Sequence, residues 1–338
     1  MIIDMHHHWM PKRQYDQMES YLGSGYRVER KEDRCFIFHE DVQYAMPTTT
    51  YYNMERQLAD MDRAGVNYAV LHAGLWQDWN RSLDISREIN DELSEVQRKY
   101  PERFIGLAHV PMDGEEASIR EFERSVKELG LKGLAFNTHI QGVPLDDKRF
   151  WPIYQKAAEW NVPVVVHPAS VPPNNELFVD YNLSNGLGRA LDLTTVCVRL
   201  LYSGVLRQFP NLKFSIAHLG GAFFALKNRV DPNFFAKKLP APGKANNLQN
   251  VDFSGQIQQI FVDTAPALWD TPEIQCAIEL LGADQVVFGS DYPISLTWME
   301  DGVRNINAMK VDRETRKKIL GLNAARILGV PVSEGSGR

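Results

Sequence analysis

The sequence predicts an α/β protein built as a (β/α)8 barrel, the TIM-barrel architecture, with a small β insertion after the first strand. Short apolar, β-branched runs alternate with longer stretches of helical periodicity, and such runs occur eight times. This alternation predicts a parallel sheet with crossover helices, and eight units favour closure. A length of 338 residues is compatible with one domain or two, and the repeated units predict one barrel domain over 1–338. The predicted strands are Ile2–Asp4, Asn67–Leu71, Phe104–Val110, Gly133–Phe136, Val162–Val166, Leu212–Ala217, Gln259–Val262 and Gln285–Phe288.

Helical periodicity fills most of the intervals between these strands. Two irregular regions interrupt the pattern. Residues 11–52 contain the strand-like Arg34–Phe38 and are predicted to form the β insertion, and residues 232–251, rich in Pro, Lys and Asn, are predicted to form an arm. The predicted helices are Met54–Ala64, Ser86–Arg98, Glu115–Leu129, Phe150–Trp160, Thr194–Phe209, Thr271–Leu281 and Arg313–Leu328.

Composition narrows the classes of function. The net charge is −6, with acidic and basic residues mixed along the chain, which argues against nucleic acid or an anionic membrane as partner. No basic region followed by an apolar run opens the chain, and no stretch of about 18 apolar residues occurs, so a cytoplasmic location is expected. Cys35, Cys197 and Cys276 lack metal-binding spacing and are expected to be reduced thiols.

The first predicted strand runs into three consecutive histidines, His6, His7 and His8. Side chains alternate along a strand, so His6 and His8 project from one face and His7 from the other. Two neutral imidazoles held on a rigid strand are half of a zinc-type site. The alternative is a polar strand end without a function.

Histidines recur at the ends of the other predicted strands, where barrel enzymes collect their chemistry. Only His39 lies clearly away from a strand end. The clustering favours a metal site or an acid/base site. The residues at or near later strand ends are His72, His109, His139, His167, His218 and Asp291.

In this order and at these strand ends, the motifs resemble the amidohydrolase superfamily, and within it the branch of 2-amino-3-carboxymuconate 6-semialdehyde decarboxylase. The resemblance covers nearly the whole chain. Each motif is weak singly, and the set is specific. The motifs are Asp4-Met5-His6-His7-His8, Asp60-Met61-Asp62-Arg63-Ala64-Gly65-Val66, Pro101-Glu102-Arg103-Phe104, Val166-His167-Pro168, Ala217-His218-Leu219-Gly220-Gly221 and Gly289-Ser290-Asp291-Tyr292-Pro293.

The resemblance implies one catalytic divalent metal, most often Zn²⁺ in this branch, with Mn²⁺ or another divalent ion as the alternative. Its ligands would be His6, His8, His167 and Asp291, and Asp291 would also be catalytic. Three imidazoles and one carboxylate leave room for a water, whose pKa the metal would lower. His218 would act on that water as general base and later as proton donor.

The chain departs from the resembled branch where that branch contacts its substrate. An arginine of the β insertion is replaced within Gln43-Tyr44-Ala45, and a tryptophan is replaced by Ala169. In the resembled branch another arginine reaches the site from a neighbouring subunit, and the corresponding region of this chain holds Lys237 and Lys238. These lysines would keep a positive charge there but lack the paired donors of a guanidinium; the alternative is that they belong to a solvated loop. A different substrate is therefore expected.

Further substrate contacts are predicted for Trp76, Trp79, Asn137, His139 and Lys237. For the tryptophans, packing under a loop is an equally common use. Hydrogen-bonded structural roles are expected for His7, His72 and His109, and either a pocket-lining or a structural role for Asp263 and Thr264.

The function favoured by these residues is non-oxidative decarboxylation of an aromatic or muconate-like carboxylic acid. The alternative is hydrolysis or hydration at a C–C, C–N or C=C bond of a related ring-cleavage or aromatic compound, which needs the same ligands. A binding protein without activity is disfavoured by the complete ligand set, and fold alone does not choose. A homodimer is expected, in which the arm at 232–251 packs on the neighbouring subunit.

Overall fold

The computed structural model describes residues 1–22, 25–39, 42–73, 83–111, 113–140, 142–232, 252–266 and 271–331. Eight of its strands form a parallel ring, and each overlaps one of the eight predicted runs. The strands are β1 (Ile3–His8), β2 (Tyr26–Lys31), β3 (Arg34–His39), β4 (Val42–Ala45), β5 (Tyr68–His72), β6 (Phe104–Gly106), β7 (Leu134–Asn137), β8 (His139–Ile140), β9 (Val143–Pro144), β10 (Val164–His167), β11 (Phe214–Ile216), β12 (Ile260–Asp263) and β13 (Val286–Val287). The ring consists of β1, β5, β6, β7, β10, β11, β12 and β13.

The ring closes on itself. Its strands pair in the orders β1-β5-β6 and β13-β12-β11-β10-β7. Parallel bridges from Ala108 to Leu134 and from His7 to Tyr292 join the two groups at both junctions. At the second junction the His8 amide donates to the Tyr292 carbonyl at 2.7 Å. The (β/α)8 barrel prediction is confirmed, and the first strand lies beside the last.

Helices surround the ring. Asn53 caps the N-terminus of α3 by accepting from the Arg56 amide, and Gly65 ends that helix in the left-handed region. None of the described helices has the length and apolarity needed to cross a membrane. They are α1 (Lys12–Asp16), α2 (Met18–Tyr21), α3 (Met54–Ala64), α4 (Leu83–Lys99), α5 (Glu116–Lys127), α6 (Trp151–Glu159), α7 (Arg189–Ser203), α8 (Val205–Gln208), α9 (Phe223–Val230), α10 (Phe253–Gln256), α11 (Thr271–Leu281), α12 (Trp298–Ala308), α13 (Arg313–Lys317) and α14 (Asn323–Leu328).

The region after β1 is the expected β insertion. It forms the antiparallel sheet β2-β3-β4, of which the sequence predicted only the central strand. Cys35 and Ile37 of β3 are buried and join the main hydrophobic core. Asn185 donates through Nδ2 to the Gln43 carbonyl at 2.9 Å, which ties β4 to the segment that follows β10. The insertion therefore lies against one side of the barrel mouth.

Alternate strand residues fill the inside of the ring. Ile3 and Met5 of β1 belong to this layer, and the apolar face of α14 packs against it. Between Asp4 and His7 the register of β1 against β5 shifts, as in a β-bulge. Strict alternation from Met5 would direct His7 into the barrel, so the shift re-aims the strand end and directs His6 and His8 inward.

Candidate metal centre and active site

Four ligand-type side chains meet where the ring strands end. His6 and His8 lie on β1, His167 is the last residue of β10, and Asp291 follows β13. One nitrogen or oxygen from each lies within 4.8 Å of those of the other three. All four side chains are buried. The structure thus brings together the four residues that the sequence analysis expected as ligands.

The imidazole rings of this group pack closely. The His6 ring centroid lies 5.2 Å from that of His8 and 5.1 Å from that of His167. His72, paired with His8 across β1 and β5, adds a ring 4.7 Å from that of His8. Burial, followed by repulsion from neighbouring imidazoles, lowers the pKa of His72 and His167 well below 6.5. Both rings are therefore neutral at pH 7.

Two carboxylates face the imidazoles. Asp291 Oδ1 lies 2.8 Å from His8 Nε2 and 3.3 Å from His6 Nε2, and Asp263 Oδ2 lies 3.0 Å from His6 Nδ1. Burial lowers the pKa of His6, but Asp263 and Asp291 outweigh it and raise this pKa to about 10. Burial raises the pKa of Asp291, but His6 outweighs it and the pKa falls well below 3.8. The centre therefore favours a bound positive charge.

The donor set fits a divalent cation. His6 Nε2 and His8 Nδ1 are buried without a hydrogen-bond partner among the described residues. His167 Nδ1 lies 2.8 Å from the Pro168 carbonyl, which places the proton on Nδ1 and a lone pair on Nε2. Asp263 holds His6 Nδ1 in the same way. Imidazole nitrogens with a carboxylate oxygen are ligands that Zn²⁺ and related ions take in proteins.

Behind the ligands, His7 and Asp4 form a buried pair on the opposite side of β1. Asp4 Oδ2 accepts from Ser290 Oγ at 2.6 Å and lies 3.2 Å from His7 Nδ1. His7 Nε2 lies 3.2 Å from Gln57 Oε1, and the Gln57 amide nitrogen donates to two backbone carbonyls, which fixes that oxygen as an acceptor. Asp4 and Gln57 thus hold the His7 ring between them, one at each ring nitrogen.

His218 stands beside the ligand group without belonging to it. Its ring centroid lies 5.0 Å from that of His6 and 6.0 Å from that of His167. Its backbone has a φ of 52°, and its amide donates to Asp263 Oδ1 at 2.9 Å. Burial lowers the pKa of His218, with Asp291 opposing, so the ring is neutral at pH 7. A neutral imidazole at this place suits proton transfer.

A cavity of about 800 Å³ opens over these groups. Gln43, Tyr44 and Ala45 of the insertion line it, where the sequence analysis expected substrate contacts. Arg189, at the start of α7, also lines the cavity; it was not predicted from the sequence, because no motif surrounds it. The cavity is lined by His8, Gln43, Tyr44, Ala45, Met46, Tyr51, His167, Pro168, Ser170, Asn185, Gly186, Leu187, Arg189, Ala190, Leu193, His218, Pro266, Glu273, Asp291, Ile294 and Trp298.

Five residues were predicted to contact the substrate, and the structure describes two of them. His139 and Asn137 are not among the residues that line the cavity. His139 Nε2 lies 3.0 Å from the Val171 carbonyl and Nδ1 accepts from the Gly142 amide, so both ring nitrogens bond within the chain, and its substrate contact stays a prediction. Asn137 Oδ1 is buried without a partner in the described chain, and its substrate contact stays a prediction. The other three, Trp76, Trp79 and Lys237, lie outside the described residues, as does Lys238.

Other polar residues at the strand ends hold the scaffold. His109 Nε2 accepts from the Ala73 amide at 3.2 Å, in keeping with the expected structural role. Thr264 Oγ1 donates to the Gly289 carbonyl at 3.3 Å and accepts from its amide at 3.2 Å. Thr264 thus joins β12 to the turn that carries Asp291.

A closed barrel with three histidines and an aspartate gathered at the carboxyl ends of its strands defines the class of metal-dependent barrel enzymes. The chain belongs to the amidohydrolase family, because the family model Amidohydro_2, described as amidohydrolase, matches residues 3–330. The resemblance drawn from the strand-end motifs is confirmed.

Curated relatives of the chain include enzymes of two reaction types. It is 26% identical over 337 residues to 2-amino-3-carboxymuconate-6-semialdehyde decarboxylase of Dictyostelium discoideum, covering 97% of this chain and 91% of the relative. It is 29% identical over 277 residues to gamma-resorcylate decarboxylase of a Polaromonas species, covering 77% of this chain and 83% of the relative. It is 25% identical over 348 residues to 2-keto-4-carboxy-3-hexenedioate hydratase of a Sphingobium species, covering 97% of this chain and 96% of the relative.

Solved structures share the fold. 5-Carboxyvanillate decarboxylase from Sphingomonas paucimobilis superposes with a TM-score of 0.81 at 23% identity, covering 98% of this chain and 99% of that one. Dihydroxybenzoic acid decarboxylase from a Polaromonas species, solved with bound manganese and the inhibitor 2-nitroresorcinol, superposes with a TM-score of 0.76 at 23% identity, covering 98% of each chain. At these identities the likeness establishes the barrel architecture.

Proposed function

We propose that the chain is a metal-dependent, non-oxidative decarboxylase of an aromatic or muconate-like carboxylic acid. The observation that carries this proposal is the group of four ligand atoms within 4.8 Å of one another, at a cavity that also holds His218. Most of the cavity lining is apolar, which suits a planar unsaturated body. Decarboxylases among the curated relatives, including the two described above, support the same reaction.

In this proposal His6, His8, His167 and Asp291 hold one divalent cation. Three nitrogens and one oxygen suit Zn²⁺, and Mn²⁺ is the ion bound in the dihydroxybenzoic acid decarboxylase structure. The bound cation would polarise a substrate oxygen and stabilise the negative charge that develops during the reaction.

His218 moves the proton. Its neutral ring takes a proton from water and delivers it to the carbon that carries the carboxylate. The carbon–carbon bond to the carboxylate then breaks, its electron pair restores the unsaturated system, and carbon dioxide leaves; one proton is consumed for each carbon dioxide released. Asp263 binds both the His218 amide and the His6 ring, which fixes the proton carrier relative to the ligands.

The same residues would serve hydration or hydrolysis, because a base beside a divalent cation also activates water. The hydratase among the curated relatives, which matches nearly the whole chain, favours this as the second candidate. In a hydration His218 would remove a proton from water instead of protonating carbon.

The proposal includes a homodimer, a cytoplasmic location and substrate contacts by Trp76, Trp79, Asn137, His139 and Lys237. Apolar exposure supports the dimer: five of the eight large apolar side chains that the structure shows exposed lie in one segment. These five are Leu177, Val179, Tyr181, Leu187 and Leu191.

A screen of aromatic and dienoic acids tests the reaction. Protein loaded with Zn²⁺ or Mn²⁺ is incubated with each acid, and carbon dioxide and product mass are followed together. The expected result is equimolar carbon dioxide and a product that has lost its carboxyl group. A product one water heavier, without carbon dioxide, overturns decarboxylation in favour of hydration. His218→Ala is the matched inactive control.

A further inference from the structure

Arg189 is a cation whose donors are mostly unused. It begins α7 and lines the cavity. Its Nη2 donates to the Tyr44 carbonyl at 2.9 Å and, more weakly, to the Ser170 carbonyl at 3.4 Å. Its Nε is buried without a partner among the described residues. A guanidinium has five N–H donors, so three remain available to a ligand.

No carboxylate in the described part of the chain forms an ion pair with Arg189. Arg124 shows the usual arrangement, with Glu121 at 2.9 Å and Asp91 at 2.7 Å. Two neutral carbonyls compensate a partly buried guanidinium only in part, and an unpaired cation there costs stability. A cation kept at such a cost in a cavity wall indicates an anionic ligand.

Charge is divided within the cavity. The lining contains two acidic residues, Asp291 of the ligand group and Glu273, and Arg189 is the only arginine or lysine among the described residues that line the cavity. Apolar side chains such as Leu193, Ile294 and Trp298 supply much of the remaining wall. A ligand that suits this distribution has two separate anionic groups on an apolar, unsaturated body.

We propose that Arg189 determines substrate specificity by binding a second carboxylate of the substrate, while the carboxylate to be lost lies at the ligand group. The inference rests on the proposed function and narrows its substrate class to aromatic or dienoic dicarboxylic acids. The guanidinium offers paired donors in the plane of a carboxylate, which a lysine at this position would lack.

Calorimetric titration of the zinc-loaded protein with isophthalate and with benzoate tests the inference without requiring turnover. Arg189→Met should weaken isophthalate binding by about 10- to 100-fold, the worth of one or two charge-assisted hydrogen bonds, and leave benzoate binding nearly unchanged. Arg199→Met is the matched control, because Arg199 lies on the same helix, faces solvent and pairs with Asp146 at 2.6 Å. That variant should bind both acids like the parent.

Arg189→Lys provides the same comparison if Arg189→Met fails to fold, with a smaller loss that is again confined to isophthalate. Unchanged isophthalate binding, or equal losses for isophthalate and benzoate, overturns the inference. The two proposals fail separately. Decarboxylation that is insensitive to Arg189 removes the inference alone, whereas Arg189-dependent isophthalate binding without decarboxylation of any acid removes the proposed function alone.

Discussion

At the scale of single residues, Asp263 organises the site. One oxygen lies against the His6 ring, and the other accepts from the backbone amides of His218 and Ala265. His218 and Leu219 both adopt positive φ, which costs roughly 1–3 kcal/mol for each residue. The hydrogen bonds from Asp263 help to offset that cost and hold the proton carrier beside a ligand. Asp263 therefore positions two functional residues.

Replacing His218 should separate metal binding from turnover. In His218→Ala, we expect metal content close to that of the parent, since the side chain lies outside the ligand group, and turnover lowered by roughly 10²–10⁴-fold, the usual contribution of a positioned acid or base. Metal analysis and steady-state kinetics measure the two effects. His39→Ala, outside the cavity lining, is the control. Full activity, or loss of the metal, would exclude this role.

The buried pair of His7 and Asp4 should be a large contributor to stability. Asp4→Asn places an amide group among the buried donors of His7, Ser290 and the His6 backbone, so we expect a loss of about 1–3 kcal/mol in the free energy of unfolding. Urea denaturation of the metal-free proteins measures it. Glu159→Gln breaks an exposed pair with Lys156 and should change the free energy of unfolding much less. Similar losses in the two variants would contradict the assignment.

At the scale of elements, local sequence predicted the strands better than their irregularities. The run Val164–His167 consists of β-branched residues and ends in a histidine, so both the strand and its site residue could be predicted from the sequence. The bulge in β1 could not be predicted, because it depends on how β1 pairs with β5. Helix α12 was missed: Gly302 lies within it, and its buried positions are defined only by neighbouring elements.

Helix α4 carries a carboxyl group that should make stability depend on pH. Burial raises the pKa of Glu92 to about 7, with Glu88 and Glu95 adding to the shift. The folded state thus holds this proton more tightly than the unfolded state, whose ordinary pKa is 4.5. The resulting stabilisation is complete below pH 4.5 and is lost as the pH rises through 7.

The Glu92→Gln variant should therefore have the same unfolding temperature as the parent near pH 5 and a higher unfolding temperature than the parent at pH 8. The difference should be about 1 kcal/mol, after allowing for solvent screening at a partly exposed site. Thermal unfolding at both pH values measures it. Glu102→Gln, an exposed control, should show no such difference. A Glu92→Gln variant less stable than the parent at pH 8 would contradict the expected sign.

At the scale of the whole molecule, the ligand group joins distant parts of the chain. His8 and Asp291 are 283 positions apart and lie 2.8 Å from each other. The strand-end rule for barrels predicted this meeting from sequence, because it depends only on topology. The cavity wall did not follow from sequence: Tyr44 of the insertion and Arg189 of α7 come together only through tertiary packing.

The apolar segment 177–191 should form part of the interface of a homodimer; nearly all of the arm at 232–251, which the sequence also predicts to contact the neighbouring subunit, lies outside the described residues. Tyr181 is 93% exposed and Leu177 is 69% exposed, whereas Leu187 is both exposed and part of the cavity wall. Because a stable interface buries roughly 800 Å² on each partner, a second copy seated on this segment would also cover one edge of the cavity. Substrate binding should then weaken when the dimer dissociates.

Light scattering at micromolar concentration should show a dimer for the parent and a monomer for the double variant Leu177→Asp and Tyr181→Asp, because four buried charges at a twofold interface are costly to desolvate. Leu296→Asp, an exposed apolar position outside the segment, should remain dimeric. The monomeric variant should fold and keep its metal, because neither side chain belongs to the ligand group, yet bind substrate more weakly. A monomeric parent, or a dimeric double variant, would show that this segment is not the interface.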